Sequence, residues 1–327
     1  MKRRHFIALL AGTTPIWPLA ASCSAAAEVG QWRIGYLSNF SGPTEYAKSF
    51  VQGLSELGYV EGKNLTVEYR FAVGKSERLA ELAAELVRER VDLIVTEGTP
   101  STLAAMHATT TIPIVFGSLQ DPIEKGIVAS LAHPGGNVTG NALIADHSKS
   151  LELLKRAVPR VSEVMFIYDP ATRPGAYGQA KLRELQGNAR ALGMVVNTIP
   201  LSDPEGTDRV FAALPTSTDA ILLENSVINL LARERLCTLA TQRRLASVGT
   251  LAEFAEAGCL ISYGEDLADN YRRAAGDVDK IFKGSKPADL PVQQAVTFRL
   301  SINLRTAKQL NLTVPELVLV GADKIIE

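Results

Sequence analysis

Histidine, cysteine and aromatic residues are scarce in this chain, and neither sign of charge dominates. Among 327 residues there are 4 His, 3 Cys and 2 Trp, and aromatics make up 6%. No His, Cys, Asp and Glu cluster stands at metal-ligand spacing, so the sequence implies no metal and no cofactor. G-x-G-x-x-G, the P-loop and the G-x-S-x-G elbow are all missing, which removes the common dinucleotide, phosphate and hydrolase signatures. A net charge of −1 supplies no basic field to attract nucleic acid. No apolar run reads as a membrane span, because the one near the N-terminus is short and broken by Pro15 and Pro18.

That N-terminal segment reads as an export signal over 1–27. Lys2, Arg3 and Arg4 form a positive region, Phe6 to about Ala20 an apolar one, and Ala25-Ala26-Ala27 a small-residue cleavage site. Arg3-Arg4-His5-Phe6-Ile7 loosely resembles a twin-arginine core, and Cys23 is a second candidate terminus, as a lipidated cysteine. Cleavage takes the 34 basic residues to 31 against 35 acidic ones, a net charge of about −4. The mature chain then keeps Cys237 and Cys259. In an oxidising compartment they could pair, but each sits in an apolar stretch, and buried free thiols are the favoured expectation.

The remainder alternates strand-like and helix-like segments. Arg33–Leu37, Leu65–Arg70, Val91–Val95 and Ile112–Phe116 read as strands, with helical periodicity at Ala47–Leu57, Leu79–Val87 and Pro100–Ala108 between them. The pattern weakens over 121–140, where Pro134-Gly135-Gly136-Asn137 marks a turn, and then restarts with Leu151–Val158, Val164–Tyr168 and Gln179–Leu192. Repeated strand–helix units of this kind build parallel sheets. The expected fold is α/β, with two similar doubly wound lobes joined by a hinge and a cleft between them.

In such sheets ligands bind beyond the carboxyl ends of the strands. Gly98, Thr99 and Ser101 open a helix whose free N–H groups suit a carboxylate, with the alternative of simple capping. Ser38, Asn39, Phe40 and Thr44 follow the first strand, where Phe40 would stack on a solute and Thr44 would otherwise be a cap. Asp121, ahead of Pro122, is either an acceptor for a solute ammonium or a helix cap. Tyr168, Asp169, Glu224, Asn225, Thr250 and Glu253 close strands of the second half, and their acidic groups suit an ammonium. His107, His133 and His147 are read as surface residues.

Several stretches are more particular than generic α/β sequence. They are Phe50-Val51-Gln52-Gly53-Leu54-Ser55-Glu56-Leu57-Gly58-Tyr59-Val60-Glu61-Gly62, Thr110-Thr111-Ile112-Pro113-Ile114-Val115-Phe116, Ala132-His133-Pro134-Gly135-Gly136-Asn137-Val138-Thr139-Gly140, Tyr271-Arg272-Arg273-Ala274-Ala275 and Lys283-Gly284-Ser285-Lys286-Pro287-Ala288-Asp289-Leu290-Pro291-Val292. Together they resemble the ABC-transporter substrate-binding family of the tryptophan-binding TrpX type, over about Arg33 to Glu327. His133 departs from the family's usual Arg, Gln293-Gln294 from a Glu-bearing stretch, and Val320-Gly321-Ala322-Asp323 from a common Arg-Ala-Asp ending.

The resemblance implies a type I periplasmic binding fold with three crossovers. Lobe 1 would be 31–143 plus about 265–289, and lobe 2 would be 144–264 plus about 290–327. It further implies a periplasmic, monomeric receptor that closes on a small organic solute, an aromatic or branched amino acid among the candidates, and docks on a membrane permease without performing chemistry. Two other readings stand beside it. One is an exported sensor domain. The other is a two-lobed enzyme such as a racemase, which would need acid–base residues such as paired Cys facing across the cleft.

Overall fold

The structure, a computed structural model, describes residues 31–143, 147–173 and 175–327. The export segment expected over 1–27, Cys23 included, lies outside the described residues, as does the expected start of the second lobe at 144.

Strand β1 (Trp32–Ser38) is followed by helix α1 (Glu45–Glu56). Thr44 caps α1, its hydroxyl accepting from the Ala47 N–H at 3.1 Å. Ala47, Phe50 and Leu54 form the buried stripe of the helix. Phe50 and Leu54 have no exposed surface, and burial of each contributes about 2 kcal/mol. β2 (Leu65–Phe71), α2 (Leu79–Arg88), β3 (Leu93–Glu97), α3 (Thr99–Ala108), β4 (Ile114–Gln120) and β5 (Val138–Leu143) complete the first run.

β5 falls where the sequence pattern weakens, and its composition explains why. Thr139 and Asn141 are fully buried yet polar. Thr139 donates to the Leu290 carbonyl at 2.8 Å, and Asn141 to the Asn270 carbonyl at 2.9 Å. Both partners lie more than a hundred residues away, so no local signal marks the strand as buried.

The second run comprises α4 (Ser148–Ala157), β6 (Glu163–Tyr168), α5 (Gly175–Ala191), β7 (Val195–Pro200), α6 (Thr207–Ala212), β8 (Ala220–Leu223), α7 (Val227–Leu231), α8 (Arg233–Gln242), β9 (Ala246–Gly249), α9 (Ala252–Glu256) and β10 (Ile261–Glu265). α10 (Leu267–Phe282) and β11 (Gln293–Gln294) return to the first sheet, and β12 (Phe298–Asn303), α11 (Leu304–Gln309), α12 (Glu316–Val320) and β13 (Lys324–Ile326) to the second.

The first sheet has the order β11-β5-β4-β3-β1-β2 and the second β13-β12-β10-β9-β8-β6-β7. All pairings in the first are parallel. The second departs from a purely parallel sheet at one place, where β12 runs antiparallel to β10. The chain passes between the sheets three times: between β5 and α4, between β10 and α10, and between β11 and β12. The last passage comes later than position 290, because Gln293 and Gln294 pair with Asn141 and Ala142 of the first sheet. Tethering of Val292 to the Leu131 carbonyl at 2.7 Å holds this segment there.

Cys237 and Cys259 are joined in a disulfide, with Cα atoms 4.7 Å apart. This corrects the free-thiol expectation. Apolar burial was read as isolation, but the return through β9 and α9 brings the end of the 22-residue separation back against α8. In the chain-entropy account, closing such a loop stabilises the fold by about 3 kcal/mol. His147 is likewise not a surface residue: it is buried, with Nε2 3.0 Å from Arg173 Nη2.

Candidate functional site

The carboxyl ends of both sheets face a common cavity. About 590 Å³ of space outside the protein atoms lies there, part of it continuous with solvent. The first lobe supplies Phe40, Tyr46, Glu97, Gly98, Thr99, Ser118, Gln120, Lys125 and Tyr271 to its walls; the second supplies Asp169, Thr172, Asn225, Ser226, Val227 and Leu230.

Local backbone geometry shapes this lining. Gly98 ends β3 with φ +81°, and a Cβ there would sit 3.6 Å from Val227 of the other lobe. Only glycine takes that conformation without strain. Pro100 has no N–H, so the first turn of α3 offers the Thr99 and Ser101 N–H groups as free donors. Gly117 in β4 leaves room for the Tyr271 ring, since a Cβ would come 2.0 Å from it. Tyr271 in turn stacks on Tyr46 with centroids 5.6 Å apart. With Phe40, Leu230 and Leu267 these rings make one wall apolar and aromatic.

The opposite part of the cavity is charged. Lys125 is half-buried, donates to Thr99 Oγ1 at 3.3 Å and lies over the Tyr177 ring at 5.9 Å. Burial pushes its ammonium down to about 8. Asp169 is buried, and desolvation pushes its carboxyl up to about 6 although it accepts from the Ala171 N–H. Behind it Glu224 is fully buried and compensated: it accepts from Arg173 Nε at 2.7 Å, from Thr172 Oγ1 at 3.1 Å and from the Asp169 N–H at 2.9 Å. Ser118 Oγ is buried and has no hydrogen-bond partner among the described residues.

Glu97 is the second carboxyl that lines the cavity. It is 3% exposed. Thr44 Oγ1 donates to it at 2.9 Å and Tyr36 Oη at 3.3 Å, and Ser38 donates as well. Burial pushes it up to about 7 despite those three hydroxyls.

Of the residues expected from sequence, Phe40, Gly98, Thr99, Asp169 and Asn225 line the cavity. Ser38 and Thr44 stand behind it as donors to Glu97, and Glu224 orients Asp169 and Thr172. Ser101 is buried in the first turn of α3, outside the lining, and its hydroxyl lacks a partner among the described residues. Asn39 donates to Ser76 Oγ at 2.8 Å, away from the cavity. The Tyr168 ring stacks on Phe166 with centroids 5.9 Å apart, within the second core. Thr250 donates to the Leu223 carbonyl at 3.2 Å and lines a neighbouring hollow with Gln120, His147 and Tyr263.

Asp121 and Glu253 have another part to play. Tyr177 of the second lobe donates to Asp121 of the first, and Tyr46 of the first donates to Glu253 of the second. Both bonds join the lobes, which are therefore closed on each other. Sequence reading missed Tyr46, Ser118, Lys125 and Tyr271 as lining residues, and gave Glu97 no role. Lys125 lies in the stretch where periodicity fails, and Tyr271 on a helix that only the topology brings across. The cysteines do not line the cavity and are bonded to each other, so they supply no thiol pair to it.

Among the described residues, no helix is long and apolar enough to cross a membrane. A curated tyrosine-binding protein from Clostridioides difficile is 36% identical over 122 residues, which span 37% of this chain and 35% of that protein's length. A conserved domain protein from Vibrio cholerae superposes with a TM-score of 0.84 at 28% identity, covering 90% of this chain and 99% of that one. An ABC domain from Streptococcus pneumoniae in complex with L-Trp gives a TM-score of 0.84 at 25% identity, covering 91% and 100%. The family model described as ABC transporter substrate binding protein matches residues 37–326. The chain thus belongs to the ABC transporter substrate-binding protein family, whose members are extracytoplasmic solute receptors.

Proposed function

We propose that this protein captures an α-amino acid with an aromatic side chain and presents it to the permease of an ABC importer. One observation carries the reading: Lys125 of the first lobe and Asp169 of the second line the same cavity, beside a wall of aromatic rings. Lys125 with the Thr99 N–H and hydroxyl suits a carboxylate, Asp169 with Asn225 suits an ammonium, and Tyr46, Tyr271 and Phe40 suit a ring. The relatives support the same class, one being named for tyrosine and another holding L-Trp.

Capture proceeds by hinge closure. The ligand bridges groups on both lobes, so it favours the closed arrangement by its differential affinity for that state. The protein acts as a monomer in the periplasm, after export through the segment at 1–27, with Cys23 as the alternative anchor.

Isothermal titration of the purified, ligand-stripped protein against the proteinogenic amino acids tests this reading. Micromolar or tighter binding of an aromatic amino acid, lost when the α-carboxylate is amidated, is the expected result. Binding of sugars or nucleosides with no response to any amino acid would contradict it.

A further inference from the structure

The cavity lining holds two sets of polar groups with different neighbours. Lys125 and Asp169 belong to one, where the charges acting on Lys125 are Asp121, Glu224, Arg173 and Asp169. Glu97 belongs to the other, where its charge bears on Tyr36, Tyr46 and Tyr271. The ligand's charged head belongs with Lys125 and Asp169, so a ring lying along Tyr46 and Tyr271 extends towards Glu97.

Glu97 is an unusual floor for an aromatic slot. No Lys or Arg among the described residues forms an ion pair with it. A carboxylate has about four acceptor positions. Ser38, Thr44 and Tyr36 fill three, and the Tyr36 bond is long at 3.3 Å. One acceptor position remains in a residue that lines the cavity. Each oxygen already accepts from a hydroxyl, so this position is spare acceptor capacity, and a ligand that donates to it is favoured over an analogue that cannot.

We infer that Glu97 sets the side-chain specificity: it accepts a hydrogen bond from the far edge of the ligand ring, selecting rings with an N–H or O–H, as in tryptophan or tyrosine, over phenylalanine. This deepens, and rests on, the amino-acid reading above.

Titrations of L-tyrosine, L-tryptophan and L-phenylalanine against the ligand-stripped protein and its Glu97→Gln and Glu97→Leu variants test it. At pH 8, where Glu97 is ionised, a charge-assisted bond in a dry site is expected to give tyrosine or tryptophan at least a tenfold preference over phenylalanine. Glu97→Leu should bring that ratio close to one by weakening the donor-bearing ligand and sparing phenylalanine. Glu97→Gln should cut the ratio about three- to tenfold, and it carries the test should the leucine variant fail to fold. A purely structural role would weaken all three ligands alike and leave the ratio unchanged, which overturns the inference. Equal binding of phenylalanine by the unaltered protein also overturns it, while leaving the amino-acid reading intact. If no amino acid binds at all, that reading falls and the role of Glu97 with it.

Discussion

The Tyr46 hydroxyl on one lobe donates to the Glu253 carboxylate on the other, beside a hollow next to the cavity. A second bond between the lobes joins Tyr177 to Asp121. Each bond exists only when the lobes are shut, so each stabilises the closed state relative to the open one. Tyr46→Phe should therefore weaken ligand binding about three- to tenfold, mostly through faster release. Stopped-flow dissociation kinetics reads this directly. Tyr177→Phe should act in the same direction.

Affinity should depend on pH in a bell shape. Lys125, held down at about 8, loses its proton in the free protein as pH rises above that value, and a bound carboxylate must restore it. Asp169, held up at about 6, gains a proton as pH falls below that value, and a bound ammonium must expel it. Glu97, held up at about 7, must also be ionised to accept from the ligand ring, so binding should be tightest between about pH 7 and 8. It should fall by up to tenfold per pH unit above 8 and below 7, and more steeply below 6, where Asp169 is protonated too. Titration calorimetry across buffers of different ionisation enthalpy would show proton uptake on the alkaline limb and release on the acid limb. Lys125→Met should abolish the first, and Asp169→Asn should leave only the part of the second that belongs to Glu97.

Stability of the ligand-free protein should carry the mark of Glu97. Its carboxyl is raised in the folded state to about 7 from an ordinary value of 4.5, so between those pH values the folded chain holds the proton more firmly than the unfolded one. The contribution is complete below pH 4.5 and is lost as pH rises through 7. A difference of that size corresponds to about 3 kcal/mol. Denaturant melts of the Glu97→Gln variant should show it gaining on the unaltered protein by roughly that amount between pH 4.5 and 8.

Gly117 was not singled out in the sequence, yet the aromatic wall depends on it. A methyl group there would lie 2.0 Å from the Tyr271 ring. Gly117→Ala should destabilise the protein by about 1–3 kcal/mol through overpacking. Because Tyr271 must move, ligand affinity should fall as well, whereas Gly136→Ala, at an open turn with nothing within 4 Å, should leave affinity unchanged. Thermal melts with and without ligand separate the two effects.

The alternation of apolar strands and amphipathic helices made the two-lobed α/β fold legible, because β1, β3, β4 and β6 are buried runs flanked by one-faced helices. β5 was not legible, since Thr139 and Asn141 donate to carbonyls distant in sequence. At the site, residues directly after strands were easiest to find: Phe40, Gly98, Thr99 and Asp169. Their neighbours Asn39, Tyr168 and Thr250 stand in equivalent sequence positions but point elsewhere, which no local pattern distinguishes. Lys125, Tyr46 and Tyr271 reach the cavity only through a loop or through the packing of α1 and α10, so periodicity does not mark them. The Cys237–Cys259 bond belongs to the same class, being a consequence of tertiary return.

The central claim is that the cavity reads a zwitterionic amino acid through Lys125 and Asp169 acting from opposite lobes. Calorimetric titration of L-tyrosine and L-tryptophan into the ligand-stripped protein, beside Lys125→Met and Asp169→Asn, tests it most directly. The account predicts binding by the unaltered protein and a loss of tenfold or more in each variant. It also predicts that amidation of the α-carboxylate costs little further affinity once Lys125 is replaced. Unaltered affinity in both variants, or capture only of ligands without an α-amino and α-carboxylate pair, would contradict it.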